Sequence, residues 1–329
     1  MEKYILLYGD KKKEDNICIT NMFEKTREIN LGWTDFDYKN NIKVIDEEIK
    51  NGTKQIIFSG LEIGWDKLVE YLHEKNIKVK VICNTQDSLL YYEYERNNFF
   101  RLLELSKEGK IENIAFLRKG QYEVYKNLGY KCSYLMENYI LNGEKRKNIQ
   151  NNEKENEQKE NKLINIGIYP LKYTWDKNIF NQLCIGKMID NSNINYNELD
   201  ERMTDFLNTM EIKSTVDKIE NINEDELINK VTKNDINISL SFTEYFHPVF
   251  FISMEQSIPC IIGNTSDLFD DNEILNKYLV TKAEDNPIEN SKMVCECLNN
   301  KEIVIEEYRK WKEEYSKKAK ENIEQFLEI

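Results

Sequence analysis

Lys172, Lys177, Ser241, Thr243, Glu244, His247 and Asn264 are the residues whose types and spacing could do chemistry together. Each falls just beyond a short apolar run, or at the start of a helical pattern. Lysines near a helix N-terminus suit a diphosphate, because the ammonium groups and the free N–H groups both favour negative charge. An acid beside them suits sugar or ribose hydroxyls. The combination points to a nucleotide-activated ligand. The stretch 239-SLSFTEYFHPVFFISMEQSIPC-260 concentrates the question, with Glu244 at a strand end and His247, one of two histidines, three residues later. Plainer roles are also open. The lysines could be solvated, Glu244 could cap the next helix, and His247 before Pro248 could be a packed loop residue.

The elements that must position these groups alternate. In the first half, apolar runs at 4–8, 54–60, 77–83 and 112–117 read as strands. Helical i, i+3, i+4 patterns at 42–52, 66–76, 97–109 and 121–129 lie between and after them. Gly52, Gly109 and Gly129 stand where these helices should end. A second series follows. Strands are expected at 163–169, around 210–215, and at 235–242, 258–263 and 278–281. Helices are expected at 178–190, 224–234, near 248–257, at 287–299 and at 301–328. Such βα repetition predicts parallel sheets covered on both faces. Between the halves, 143-GEKRKNIQNNEKENEQKENK-162 is nearly devoid of apolar residues and reads as a solvated linker or loop. The expected division is residues 1–142, linker 143–162, a second domain 163–300, and a terminal helix 301–329 packing back on the first domain. Ligands of open α/β sheets bind beyond the carboxyl ends of the strands. In the first half that edge carries Ser59, Glu62, Asn84, Gln86, Arg118 and Lys119. The aromatic run Tyr91, Tyr92, Tyr94, Phe99 and Phe100 reads as core and interface packing.

Bulk properties narrow the function classes. The chain has 329 residues, 40% of them hydrophobic, enough for two cores. A net charge of −13 argues against a general nucleic-acid binder, which needs clustered Lys and Arg. The apolar run at Tyr4–Tyr8 is too short for a signal peptide, and no window is long enough to span a membrane. The seven cysteines (Cys18, Cys83, Cys132, Cys184, Cys260, Cys295, Cys297) form no CxxC pair and read as free thiols of a cytoplasmic protein. No metal site is expected. The Asn, Lys and Ile bias is that of an AT-rich bacterial source. The absence of GxGxxG after the first strand disfavours a Rossmann dehydrogenase.

Glu244 and Pro259 stand fifteen apart, with Thr243, Phe246, Ser253 and the PCIIGN strand around them. This pattern resembles the nucleotide-sugar-binding half of retaining GT-B glycosyltransferases, the group 1 or family 4-like type. The segment 167-GIYPLKYTWDKNIFNQL-183 resembles a subgroup's diphosphate-binding stretch, 110–138 the end of an acceptor domain, and 267–289 the approach to the last strand. The resemblance implies an α/β fold of two Rossmann-like parallel-sheet domains facing a cleft. It implies Glu244 as the catalytic group, Lys177 and Lys172 at the donor diphosphate, and Thr243, Phe246, His247 and Asn264 around the sugar and nucleotide. Asn84, Arg118 and Lys119 would face the acceptor. The donor would be a nucleotide diphosphate sugar and the acceptor a glycan, lipid-linked or protein molecule. No cofactor, metal or nucleic acid is expected. A peripheral membrane contact and a protein partner stay open.

The sequence departs from the family's pattern. Its second glutamate falls at Ile252, Thr174 stands where the subgroup commonly has Arg, Ser257 replaces a glycine, His247 a small residue, and Asn84 a histidine. These changes keep a second reading in view: a catalytically degenerate member that binds or stabilises an active glycosyltransferase. A third is a sugar-nucleotide epimerase of similar architecture.

Overall fold

The computed structural model describes residues 3–9, 19–32, 34–139, 163–220, 223–243, 248–265 and 267–328. The expected linker 143–162 lies outside the described residues. The chain divides into two compact units, Met1–Tyr139 with Tyr315–Ile329, and Ile140–Glu314. Each carries one six-stranded sheet, and every strand pairing is parallel.

In the first unit, β1 (Tyr4–Gly9), β2 (Thr26–Ile29), β3 (Gln55–Ser59), β4 (Lys78–Cys83), β5 (Asn113–Phe116) and β6 (Cys132–Tyr134) take the order β2-β1-β3-β4-β5-β6. The helices are α1 (Asp35–Lys50), α2 (Trp65–Glu74), α3 (Glu93–Lys107) and α4 (Lys119–Asn127). The short strands β2 and β6 carry too few apolar residues to show a strand period, and the sequence pattern misses both. Helix α1 begins before the expected position 42. Thr34 Oγ1 accepts the Asp37 N–H at 3.1 Å while the Asp37 carboxylate accepts the Thr34 N–H at 3.1 Å, a reciprocal cap that starts the helix in a polar stretch. Alternate residues of the strands (Ile56, Phe58, Val79, Val81, Ile114, Phe116) meet Leu68, Val69 and Leu72 of α2 and Phe99, Leu102 and Leu105 of α3 in one apolar core. On the other face of β4, Lys80 is fully buried. Its Nζ donates to the carbonyls of Phe326 (2.6 Å) and Leu327 (3.3 Å) at the end of the chain's last helix, where the helix dipole favours a cation. In the expected aromatic packing run, Phe99 is buried, but Tyr91 is 81% exposed and Phe100 51%.

The second unit has β7 (Ile164–Ile168), β8 (Ser192–Tyr196), β9 (Ser214–Val216), β10 (Ile236–Ser239), β11 (Cys260–Gly263) and β12 (Val280–Thr281) in the order β12-β11-β10-β7-β8-β9. Its helices are α5 (Ile179–Met188), α6 (Glu201–Thr209), α7 (Glu224–Val231), α8 (Pro248–Glu255), α9 (Glu273–Leu279), α10 (Pro287–Asn299) and the first part of α11 (Lys301–Glu328). The pattern misses β8 and α6. Strand β8 reads SNINY, and its buried asparagines hide it from an apolar criterion. The expected strand 278–281 is half helix, because α9 runs to Leu279.

Those asparagines belong to a buried polar web behind the sheet. Asn195 Nδ2 donates to Asn234 Oδ1 (2.7 Å), Asn234 Nδ2 to Asn237 Oδ1 (2.8 Å), and Asn237 Nδ2 to Ser253 Oγ (2.7 Å). The web lies against Gly167 of β7, where a Cβ would stand 2.0 Å from Asn237 Oδ1.

Candidate functional site

The order of the second sheet places its topological switch point between β7 and β10, whose connections leave in opposite directions. Ligands of such sheets settle at this point, because the diverging loops leave a gap there. A small, open recess lies there, lined by Tyr169 and Pro170 after β7, Lys177, Gln182, and Ile238 to Ser241 at the end of β10. The first turn after β7, Trp175–Lys177, brings in the lysine. Lys177 is half-buried, with its Nζ 3.9 Å from the Asp176 carboxylate.

Buried Asp176 and Gln182 fix that turn to β10. The Asp176 carbonyl accepts from the Phe242 N–H (2.8 Å) and Ser241 Oγ (3.0 Å), and its carboxylate accepts from Thr243 Oγ1 (2.9 Å). Gln182 Nε2 donates to the Lys177 carbonyl (2.7 Å), while its Oε1 accepts the Leu240 N–H (3.0 Å). Asn178, at φ 51°, starts α5 and sends its Nδ2 to the Glu284 carbonyl (2.7 Å). The Glu284 carboxylate in turn accepts the Asn264 N–H at 2.8 Å. Sequence reasoning gave no role to Asp176, Gln182 or Glu284, although all three lie in stretches that carry the resemblance, because their roles depend on loops far apart in the chain.

The sequence-derived donor residues therefore divide. Lys177 lines the recess. Thr243 is buried with its hydroxyl turned to Asp176, and Asn264 is exposed at the end of β11. Lys172 is half-buried in the loop after β7. Glu244, Phe246 and His247 lie outside the described residues. Ile252 sits in α8 with no exposed surface, and Glu255 accepts from Tyr308 Oη at 3.3 Å. Trp175 is 56% exposed and stacks on Phe242 with ring centroids 6.2 Å apart. Behind the recess, Tyr169 Oη contacts Asp217 Oδ2 (3.3 Å). Burial, the larger effect, and Asp217 push the Tyr169 phenol above its usual range, while Asn234 opposes them. Burial would raise the Asp217 carboxyl too, but hydrogen bonds from Lys230 (2.8 Å) and Lys233 (2.9 Å) outweigh it and hold the group below its usual range.

In the first unit the switch point lies between β1 and β3. Most of the polar groups on that edge bond one another, although among the described residues Gln86 Nε2 is buried without a hydrogen bond. Asn84 Nδ2 donates to Ser59 Oγ (3.1 Å), Arg118 Nη1 to Gln86 Oε1 (3.4 Å), and Tyr94 Oη to the buried Glu62 carboxylate. Gln121 Nε2 and Tyr125 Oη both donate to Asp87 Oδ1, at 3.2 and 3.1 Å. Lys119 opens α4 and is exposed. Burial pushes the Cys83 thiol up to about 12, which removes it as a nucleophile at neutral pH. Among the described residues no group of three or more His, Cys, Asp or Glu could hold a metal ion, the cysteines are free thiols, and no helix is long and apolar enough to cross a membrane.

Sequence comparison finds no matching family model and no matching curated protein. Solved structures do match along nearly the whole chain. A glycosyltransferase from Rickettsia africae has 12% identity and a TM-score of 0.62, over 100% of this chain and 99% of that one. HepE of Anabaena, in complex with UDP and glucose, has 8% identity and a TM-score of 0.68 over 100% of both chains. The UDP-GlcNAc 2-epimerase of Neisseria meningitidis has 12% identity and a TM-score of 0.53, over 92% of this chain and 94% of that one. At such identities the likeness speaks for architecture alone. With two parallel six-stranded sheets and their flanking helices, the chain has the two-domain Rossmann-like fold of the GT-B class.

Proposed function

We propose that this protein is a glycosyltransferase that moves a sugar from a nucleotide diphosphate sugar to a glycan, lipid-linked or protein acceptor. The observation that carries the proposal is the recess at the switch point of the second sheet, with Lys177 on its wall. A cation beside converging loop ends is what a diphosphate leaving group requires. HepE, a structural neighbour, is in complex with UDP and glucose, which makes UDP the first ligand to try.

In this reading Lys177, assisted by Lys172, neutralises charge on the diphosphate as the anomeric C–O bond to phosphate breaks. The acceptor oxygen forms the new bond to the anomeric carbon, and its proton passes to the departing phosphate. Glu244 supports the developing positive charge on the sugar. Thr243, Phe246, His247 and Asn264 line the sugar and nucleotide pocket, and Asn84, Arg118 and Lys119 meet the acceptor. Calorimetry against UDP, GDP and their sugar conjugates tests the donor site. Binding lost in Lys177→Ala supports it, and absence of binding at millimolar ligand overturns it. Glu244→Gln should abolish transfer in a protein that still folds; full activity in that variant would sink the catalytic assignment.

A second reading draws on Ile252, which is fully buried where the resemblance expects a carboxylate. A protein with an eroded donor site could serve as the stabilising partner of an active glycosyltransferase. It predicts no nucleotide binding together with a stable protein partner, and turnover of any sugar nucleotide removes it.

A further inference from the structure

Glu284 is held at the carboxyl edge of the second sheet more firmly than a surface loop requires. Its carbonyl accepts from Asn178 Nδ2 (2.7 Å) and Asn290 Nδ2 (3.3 Å). Asn290 is itself buried, donates to the Ala283 carbonyl (3.0 Å), and accepts from Thr281 Oγ1 (2.6 Å). The side chain then reaches over the end of β11. A Cβ on Gly263 would stand 2.9 Å from Glu284 Cγ and 3.0 Å from the Ser241 carbonyl, so the strand ends in glycine where the glutamate passes. One carboxylate oxygen, Oε1, accepts the Asn264 N–H. Among the described residues no lysine or arginine pairs with this carboxylate, and Oε2 accepts no hydrogen bond.

The location gives this carboxylate a task. Asn178, which holds the Glu284 carbonyl, directly follows Lys177. Asp176, just before Lys177, bonds Ser241, Phe242 and Thr243, and a Cβ on Gly263 would touch both the Ser241 carbonyl and Glu284 Cγ, so the loops of the lysine and the glutamate both border the end of β10. A cation and a fixed carboxylate on loops that border one strand end suit a ligand with a diphosphate at one end and hydroxyl groups at the other. An ionised carboxylate is an acceptor with two oxygens, suited to adjacent hydroxyls. Ile252 has no polar atom to offer, and Glu255 already accepts from Tyr308.

We propose that Glu284 reads a vicinal diol of the nucleotide sugar whose diphosphate Lys177 holds. This rests on the donor-site reading above. The diol belongs either to the ribose or to the transferred sugar, and the two sources separate experimentally. Glu284→Gln keeps an oxygen for the Asn264 N–H but removes the charge. Calorimetry on the full chain would compare wild type and variant with UDP, GDP, their 2′,3′-dideoxy counterparts, UDP-glucose and GDP-mannose, after thermal unfolding has shown that the variant folds. Hydrogen bonds to a charged partner lead us to expect about tenfold or greater weakening. Loss of affinity for UDP or GDP with none for the dideoxy forms assigns the ribose. Loss for the sugar conjugates alone assigns the transferred sugar. Equal loss for all ligands, dideoxy forms included, overturns the proposal by reducing Glu284 to a prop for the Asn264 loop, and unchanged affinities overturn it outright. A wild-type protein that binds none of these ligands fails the donor-site reading itself, a result visible before any variant is made. Should Glu284→Gln fail to fold, Glu284→Asp, which shortens the reach and keeps the charge, is read by the same criteria.

Discussion

The two sheets have the same strand count and the same parallel pairing, yet their carboxyl edges differ in kind. On the first, Asn84, Glu62, Gln86 and Asp87 each bond a neighbour, and Arg118 donates to an amide oxygen. On the second, a recess sits at the switch point with a lysine on its wall, and a half-buried carboxylate is anchored nearby without a cation. Polar groups that mostly bond one another hold loops, although among the described residues the Gln86 amide nitrogen is buried on that edge without a hydrogen bond. Charged groups held rigid beside empty space are suited to a charged ligand. This difference motivates the proposal that the second unit holds the donor.

The largest expected effects come from glycines that let each unit close. In the first unit, a Cβ on Gly64 would lie 2.3 Å from the Gly32 carbonyl oxygen, at a φ of +78°. Backbone cannot retreat as a side chain can, so Gly64→Ala should cost about 4 kcal/mol. In the second, Gly167→Ala would press on Asn237 and Asn234, whose amides are tied into the buried web. A cost of about 3 kcal/mol follows from breaking part of that web. Urea unfolding of each variant measures both. A loss under about 1 kcal/mol at Gly167 would mean that the web yields freely and does not pin β7.

Next in size is Lys80→Met. The substitution keeps the length of the side chain but leaves the Phe326 and Leu327 carbonyls without their buried donor. About 2 kcal/mol of stability should go. Asn322, which accepts the Met136 N–H (2.8 Å) and donates to the Tyr134 carbonyl (3.0 Å), should keep the last helix on the first unit. Amide exchange at the end of α11 should therefore quicken more than exchange in its middle, and uniform protection would count against the role given to Lys80.

A direct test of the comparison pairs Lys177→Ala with Arg118→Ala. Lys177→Ala should weaken binding of a nucleoside diphosphate about tenfold or more. Arg118→Ala should leave that binding unchanged, because its guanidinium sits on the other sheet against Gln86. Equal losses would erase the distinction between the two edges.

How much of this was legible in the sequence follows from what each feature depends on. Strands buried on both faces, such as β3 and β4, announce themselves as apolar runs, and Gly52, Gly109 and Gly129 mark helix ends through their positive φ. Lys177 was legible because it lies in a local motif beside a strand end. Strand β8 was not, because its inward residues are asparagines whose partners, Asn234 and Thr215, lie on other elements. Glu284 was hidden for the same reason: its setting is made by Asn178, Gly263 and Asn290, and only folding brings these together. Local pattern reports burial and capping, whereas a polar contact between distant segments leaves no local trace.

The smallest expected effect concerns acid. Each unit has a partly buried carboxylate held below its ordinary value. For Glu48, burial would raise the group, but Lys25 and Arg27, both at 2.9 Å, outweigh it. Asp217 is lowered against burial by Lys230 and Lys233. A carboxyl whose folded value is depressed adds stability above its unfolded value, about 4 for both types, and loses that contribution as pH falls through the folded value. Both units should therefore weaken on going from pH 6 to pH 3. Asp217→Asn removes the titrating group from the second unit alone. The variant should be less stable than wild type at pH 6, and the gap should narrow as pH falls below the unfolded value toward the folded one. Glu48→Gln should do the same for the first unit. Parallel stability curves for Asp217→Asn and wild type across that range would show that the Lys230–Asp217–Lys233 cluster contributes no acid sensitivity, and would leave Glu48 as the better probe of how the two halves differ.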